Sequence, residues 1–349
     1  MTPSDRRDVS RLPPPEWAPH AACYLAWPSD PREWGDALDG ARRAVVALGE
    51  AIADADPQTG RPRGEVVELM VPDERAEAEA RRALGDQIRV RRARYGDIWL
   101  RDTGPIFLGA GGDRAVRFRW TGWGGKYLFA DDEGVADDLA ARAGASLSRS
   151  ELAVEGGAID GDGDGTLLTT RECLLSSSRN PGQSERDVED ELSRTLDTER
   201  VVWLDRGLRN DHTDGHVDNL ARFVAPGRVA CARPAPGDPN GEALAEIERA
   251  LAGARDAAGR RLELCPLPSP GAVVDGDGEL LPASYLNFYV GNRVVVVPRF
   301  DVPADEDAAR AIAALFPGRR VASLDARALL AGGGAFHCIT REQPTEVAP

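Results

Sequence analysis

The chain has 349 residues, of which 42% are hydrophobic, and carries a formal net charge of −15 at pH 7. This length accommodates one large domain or two ordinary ones, and the negative charge disfavours nucleic acid and anionic membranes as partners. The five cysteines are scattered without CxxC or metal-type spacing, and no apolar run follows the N-terminal charges or approaches 18 residues. We therefore expect a cytoplasmic protein without a disulfide framework, secretory leader or membrane span.

The first elements are predicted from turn signals and apolar periodicity. Residues 1–16 are polar and proline-rich, and we expect a flexible lead-in there, followed by a single catalytic domain over 17–349. Strands are predicted at 21–28, 66–72 and 87–92, and helices at 36–54 and 74–84.

A hairpin–helix–strand unit then recurs with a spacing of roughly 55–70 residues. The hairpins are predicted at 105–120, 157–170, 217–233 and 284–299, each around a turn containing glycine. The helices that follow are expected at 132–143, 184–196, 241–257 and 305–315, and the short strands at 147–154, 201–204, 262–267 and 320–324. The early elements and a C-terminal strand over 334–340 would supply a fifth unit. Such a repeat favours α/β units arranged radially around an axis over a doubly wound sheet.

Residues capable of chemistry stand at the hairpin starts and on the last predicted strand. They are Asp102, Glu155, His216, Asp218 and Cys338. In a radial fold these positions converge on the axis. A thiol with a histidine indicates covalent catalysis. Additional carboxylates would hinder acyl transfer, because they repel a developing oxyanion, but they suit a planar guanidinium that donates paired hydrogen bonds.

The predicted chemistry is therefore guanidine deimination through a thiouronium-type intermediate. Two carboxylates would hold the guanidinium above the sulfur of Cys338, and the cationic substrate would favour the thiolate. His216 and Asp218 lie on one face of an extended HVD segment. His216 would donate a proton to departing ammonia and then accept one from water.

Two metal interpretations are weaker. His212 and His216 stand four residues apart, as zinc ligands on a helix would, but the residues between them are poor helix formers and no third ligand is evident. The acidic turn that begins at Asp160 resembles part of a calcium loop, but Arg171 stands where a bidentate glutamate is required, so a hairpin turn is favoured. The other cysteines and Trp17, Trp27, Trp34 and Trp203 are expected to be packing residues.

Six segments carry a resemblance to a known family. They are WLRDTGPIF (99–107), EGGAIDGDGDGTLLTTRECLL (155–175), RNPGQSE (179–185), DHTDGHVDNLARF (211–223), SYLNFYV (284–290) and GGGAFHCIT (332–340). Together they resemble agmatine deiminase and, more widely, the agmatine and bacterial-type peptidylarginine deiminase family of the guanidine-modifying superfamily. The resemblance implies a five-bladed α/β propeller, or pentein, with the site in its central channel. It also implies hydrolysis of agmatine to N-carbamoylputrescine and ammonia, in polyamine biosynthesis toward putrescine, without metal or organic cofactor.

Matched by position, the resemblance implies roles for individual residues. Cys338 would be the nucleophile, His216 the general acid/base, Asp102 and Asp218 the guanidinium-binding carboxylates, and Glu155 a support for the histidine. Further substrate-binding positions are Trp99, Trp123, Asp211 and His212.

One departure from the family's pattern leaves open which group the substrate carries at the end away from the guanidine. His212 stands where the family usually has an acidic residue that is thought to meet the terminal amine of agmatine. The alternatives are therefore deimination of free or peptidyl arginine or of a modified guanidine, and a guanidine-binding module without turnover. The expected partner is a small cationic guanidine; a homodimer is compatible with the sequence but not indicated by it.

Overall fold

Sixteen strands and eleven α-helices make up the regular structure of residues 11–346, the part of the chain that this computed structural model describes. The strands, numbered in chain order, are β1 (His20–Ala26), β2 (Val66–Val71), β3 (Arg89–Arg92), β4 (Ile106–Leu108), β5 (Arg114–Arg117), β6 (Ser146–Arg149), β7 (Asp160–Gly161), β8 (Thr166–Thr170), β9 (Arg200–Leu204), β10 (Ala221–Ala225), β11 (Arg228–Arg233), β12 (Glu263–Pro268), β13 (Tyr289–Val290), β14 (Val294–Arg299), β15 (Arg320–Asp325) and β16 (Arg341–Pro344). The helices are α1 (Pro31–Trp34), α2 (Leu38–Ala53), α3 (Glu74–Ala83), α4 (Leu100–Thr103), α5 (Gly122–Gly125), α6 (Asp132–Ala143), α7 (Arg171–Leu174), α8 (Glu185–Leu196), α9 (Gly241–Gly253), α10 (Asp305–Leu315) and α11 (Arg327–Leu330).

The strands form five separate small sheets, each of which is one blade of the predicted α/β propeller. Four blades have three strands, in the orders β4-β5-β6, β7-β8-β9, β10-β11-β12 and β13-β14-β15. In each of these, the first two strands form an antiparallel hairpin and the third runs parallel to the second. A parallel pair needs a long crossover, which α6, α8, α9 and α10 supply in turn. The repeated unit and the five-bladed architecture are confirmed.

The predicted helices match the observed ones closely where capping signals are strong. Helices α6 and α10 have the predicted bounds, and α8 begins after Ser184, which forms a capping box with Asp187. Helix α9 ends at Gly253, four residues earlier than predicted. The acidic turn before β8 is a hairpin turn, as favoured above, because Asp162 accepts hydrogen bonds from the backbone N–H groups of Asp164 and Thr166.

The fifth blade joins the two ends of the chain. Strand β16 pairs antiparallel with β1, so the four-stranded order is β16-β1-β2-β3. The predicted strand over 334–340 is wrong, because this segment consists of turns and β16 starts only at Arg341. Gly333 has φ +110° and the Thr340 N–H donates to the His337 carbonyl, so the chain folds back before it enters the sheet.

The lead-in is packed where the structure describes it. Residues 1–10 lie outside the described residues. The prediction of a flexible lead-in does not hold for residues 12–16, because Leu12 is buried and Glu16 forms ion pairs with Arg222 and His337. Within residues 11–346, none of the helices has both the length and the hydrophobicity of a membrane span.

Candidate active site

Each blade contributes the short segment that precedes its first strand, and these segments carry the candidate site. Asp102 lies in α4 before β4, and Glu155 precedes a 3-10 turn before β7. His216 precedes the 3-10 turn Val217–Asn219, which contains Asp218 and leads into β10. Asn287 and Cys338 precede β13 and β16. Equivalent positions in a radial repeat face the same axis, so residues far apart in the chain meet.

Gly157 shows how closely three of these side chains approach one another. A Cβ atom built on Gly157 would lie 2.7 Å from His216 Nδ1, 3.0 Å from Asp102 Oδ1 and 3.0 Å from Asp218 Oδ2. The Cys338 sulfur in turn lies 3.7 Å from Asp218 Oδ2. The thiol, the imidazole and the two carboxylates therefore surround a single small space.

The Cys338 thiol is buried beside a hydrogen-bond donor and two acids. Asn287 Nδ2 lies 3.1 Å from Cys338 Sγ. Burial raises the pKa of Cys338 well above its ordinary value, and the charges of Asp218 and Asp102 raise it further. These surroundings favour the protonated thiol, and a cation bound beside the sulfur would favour the thiolate.

The two aspartates are held in different ways. Asp102 accepts hydrogen bonds from the backbone N–H of Gly157 at 2.9 Å and from Trp123 Nε1 at 2.8 Å. Burial raises the pKa of Asp102, and Asp218 and Glu155 add to this rise. Burial would also raise the pKa of Asp218, but the hydrogen bond and the charge of His337 outweigh this effect and lower the pKa of Asp218. His337 Nδ1 lies 2.7 Å from Asp218 Oδ2.

His216 is enclosed by acids. Its Nδ1 lies 3.7 Å from Asp102 Oδ1 and its Nε2 lies 3.6 Å from Glu155 Oε2. Burial alone would lower the pKa of His216, but these carboxylates raise it well above its ordinary value, which favours the imidazolium form that can donate a proton.

Arg179 fixes the glutamate behind the histidine. Its Nε lies 2.9 Å from both oxygens of Glu155, and its other nitrogens donate to Asp214 at 2.7 Å and to the Thr213 carbonyl at 2.8 Å. Burial opposes ionisation of Glu155, but His216 and Arg179 lower its pKa to about 2. The glutamate is therefore an anion near neutral pH, and it lies beside the His216 ring.

The functional side chains that sequence reasoning missed lie in the segments quoted above. Arg179 belongs to RNPGQSE, Asn287 to SYLNFYV and His337 to GGGAFHCIT, but only the contacts show what these residues touch. His337 also joins Asp218 to the lead-in, because its Nε2 lies 2.8 Å from Glu16.

An open cavity of about 740 Å³ leads to the Cys338 thiol and Asp102. Trp99, Trp123 and His212 line it, as the predicted substrate-binding positions require. Trp34, expected to be a packing residue, lines it as well and stacks on Trp99 with ring centroids 5.9 Å apart. The remaining lining residues are Glu33, Asp97, Tyr127, Phe129, Thr213, Ala331, Gly332 and Gly333.

Asp211 is the predicted substrate-binding residue that the cavity does not include. Its Oδ1 accepts hydrogen bonds from the backbone N–H of Thr213 at 2.9 Å and from the Thr213 hydroxyl at 2.7 Å. One carboxylate oxygen of Asp211 thus shapes the turn that contains His212, and a direct contact of Asp211 with substrate stays a prediction.

One group within residues 11–346 has the spacing of a metal site: the ligand atoms of Glu155, Cys173 and His216 lie within 4.8 Å of one another. All three side chains are buried, and Arg179 already neutralises Glu155. Two members, His216 and Glu155, are the residues that the sequence predicts for proton transfer and for its support, and both oxygens of Glu155 are already engaged by Arg179.

The comparisons with known proteins agree with this geometry. A family model described as Porphyromonas-type peptidyl-arginine deiminase matches residues 12–344. The agmatine deiminase of Stutzerimonas stutzeri is 37% identical over 371 residues, and that of Ectopseudomonas mendocina is 36% identical over 370 residues; in both cases the match covers 99% of this chain and 98% of the relative. The solved agmatine deiminase of Enterococcus faecalis superposes with a TM-score of 0.88 at 29% identity, with 96% of each chain covered. The chain therefore belongs to the family of the agmatine deiminases and Porphyromonas-type peptidyl-arginine deiminases.

Proposed function

We propose that this protein hydrolyses agmatine to N-carbamoylputrescine and ammonia through a covalent thiouronium adduct on Cys338. The observation that carries the proposal is the meeting of a thiol, two carboxylates and an imidazole at the end of an aromatic cavity. We further propose that the reaction takes place in the cytoplasm, in polyamine biosynthesis toward putrescine, and that residues 17–349 act as one catalytic domain.

The guanidinium binds between Asp102 and Asp218, whose carboxylate oxygens accept hydrogen bonds from its N–H groups. Each charge-assisted hydrogen bond contributes about 1.5–3 kcal/mol. The positive charge of the substrate, placed beside Cys338, lowers the thiol's pKa, so the thiol releases its proton to solvent and the thiolate forms. The sulfur then attacks the central guanidine carbon and forms a tetrahedral adduct.

His216 moves the protons in both half-reactions. Its imidazolium donates a proton to the departing nitrogen, so ammonia leaves and the thiouronium forms. The neutral imidazole then accepts a proton from water as the water oxygen attacks the same carbon. Cleavage of the carbon–sulfur bond releases the urea product and the cysteine, and Glu155 with Arg179 keeps the ring in place throughout.

The cavity favours agmatine over arginine as the substrate. Among the described residues that line it there is neither arginine nor lysine, whereas Glu33, Asp97 and Asp102 are acidic. A substrate with a free carboxylate would therefore meet no cationic side chain there, and a substrate with a second positive charge would meet carboxylates. His212 is the observation that favours the alternative of another guanidine. A binding module without turnover would need neither the thiol nor the proton carrier.

The test is ammonia release by purified protein with agmatine, free arginine and a peptide ending in arginine. We expect kcat/KM to be highest for agmatine, and C338A to abolish turnover. Cys265 lies outside the cavity lining, and C265A serves as the matched control. Mass spectrometry of a quenched reaction should show the adduct on Cys338. Turnover that persists in C338A contradicts the mechanism, and a preference for arginine contradicts the substrate.

A further inference from the structure

Of the three carboxylates that line the cavity, Glu33 is the one without a hydrogen-bond or ion-pair partner among residues 11–346. Asp102 is engaged at the inner end, as described above. Asp97 is buried, and its two oxygens accept hydrogen bonds from Trp34 Nε1 at 3.1 Å and Trp99 Nε1 at 2.8 Å. Burial raises the pKa of Asp97 to about 6. Glu33 is exposed at the cavity and makes no hydrogen bond or ion pair with any residue in 11–346.

Two stacked indoles separate Glu33 from the thiol. A Cβ atom built on Gly334 would lie 2.8 Å from the Trp99 ring and 3.0 Å from Cys338 Sγ, so Trp99 adjoins the sulfur. Trp34 stacks on Trp99 at 5.9 Å, and Glu33 precedes Trp34 in α1. The indoles therefore form a wall that leads from the reacting sulfur to the carboxylate.

This arrangement suits a guanidine that carries a second cation at the far end of an alkyl chain. On a four-carbon chain, five bonds of about 1.5 Å in extended geometry place the two end nitrogens roughly 6 Å apart. The methylene groups would lie along the indole wall, and aromatic faces also attract cations. His212 also lines the cavity but supplies no carboxylate, and its Nδ1 lies 3.4 Å from the Tyr127 hydroxyl.

We propose that Glu33 binds the distal ammonium of agmatine and so supplies, from α1, the carboxylate that position 212 lacks. The proposal rests on the proposed function, since it assigns the tail subsite of the same cavity. Glu33 acts in binding and has no part in the chemical step at the guanidine carbon. Its removal therefore raises KM and spares kcat.

The experiment compares E33Q with wild type on two substrates, agmatine and n-butylguanidine, which has the same carbon chain without the amine. We expect E33Q to raise KM for agmatine about tenfold, since an exposed charge-assisted contact is weaker than a buried one. The kcat for agmatine and both constants for n-butylguanidine should change less than twofold. The matched control is D36N, which removes an exposed charge three residues away and outside the cavity lining.

The two substrates make the outcomes separable. Equal losses on agmatine and n-butylguanidine would mean that E33Q disturbs the site as a whole, and an unchanged KM for agmatine would mean that Glu33 does not bind the tail; both overturn the assignment. An effect of D36N as large as that of E33Q would show long-range charge attraction and also overturn it. If wild type turns over neither guanidine, it is the proposed function that fails.

Discussion

Gly157 is the position where a single methyl group would disrupt the whole catalytic arrangement. In G157A the new Cβ would lie 2.7 Å from His216 Nδ1 and 3.0 Å from an oxygen of both Asp102 and Asp218. Real side chains do not tolerate such distances, so the imidazole and the carboxylates must shift. Gly157 is not among the glycines with positive φ, so alanine fits the backbone and the methyl group itself is the perturbation.

The expected loss follows from how catalysis depends on position. A displacement of about 1 Å in a catalytic group costs about 10²-fold in rate. The methyl group also occupies space where the guanidinium must approach its two carboxylates. We therefore expect kcat/KM for agmatine to fall at least about 100-fold in G157A, while overpacking costs about 1–3 kcal/mol of stability.

The assay is ammonia release together with a thermal melt of the same preparation. The matched control is G134A in α6, where a built Cβ meets nothing within 4 Å. We expect G134A to keep full activity and to be about 0.5–1 kcal/mol more stable, since alanine favours helix. A folded G157A that keeps more than about a third of the wild-type kcat/KM would refute the assignment of this space to the guanidinium.

Two further predictions concern protonation. Burial and the neighbouring acids raise the pKa of Cys338, so the rate of its alkylation by iodoacetamide in the free protein should increase with pH through pH 9 without levelling off. Mass spectrometry locates the modified residue. An alkylation rate that is already constant near pH 7 would contradict a resting thiol. R179M removes the guanidinium that contacts both oxygens of Glu155 and leaves the buried glutamate with His216 as its only charged partner in the described part of the chain, so we expect a loss of about 3–5 kcal/mol in denaturant unfolding at pH 7. The pKa of Glu155 is about 2 in the folded protein and about 4.3 in the unfolded chain. The stabilisation that the ionised Glu155 gains in the fold is therefore complete when the pH lies above the unfolded-state pKa, and it is lost as the pH falls toward the folded-state pKa. The difference in unfolding free energy between wild type and R179M should therefore become smaller in acid. A difference that stays constant from pH 7 to pH 3 would refute this account.

The local pattern of the sequence was sufficient to predict the repeated unit and to single out the main residues that meet at the candidate site. Hairpin turns, helix periodicity and capping signals depend on neighbouring residues, so they can be recognised without knowing the contacts. The hairpin starts already carried Asp102, Glu155, His216 and Asp218, and the radial repeat predicted their convergence.

The tertiary structure alone decided the path of the chain around the thiol and the walls of the cavity. Residues 334–340 have the apolar composition of a strand, yet they form turns because β16 must align with β1, more than 300 residues away. Asn287 and His337 make their contacts at the site with other blades, and one oxygen of Asp211 is engaged in a local turn with Thr213. Whether Glu33 faces a cavity depends on how α1 docks against Trp99. Packing between distant segments sets these contacts, and local periodicity carries no information about it.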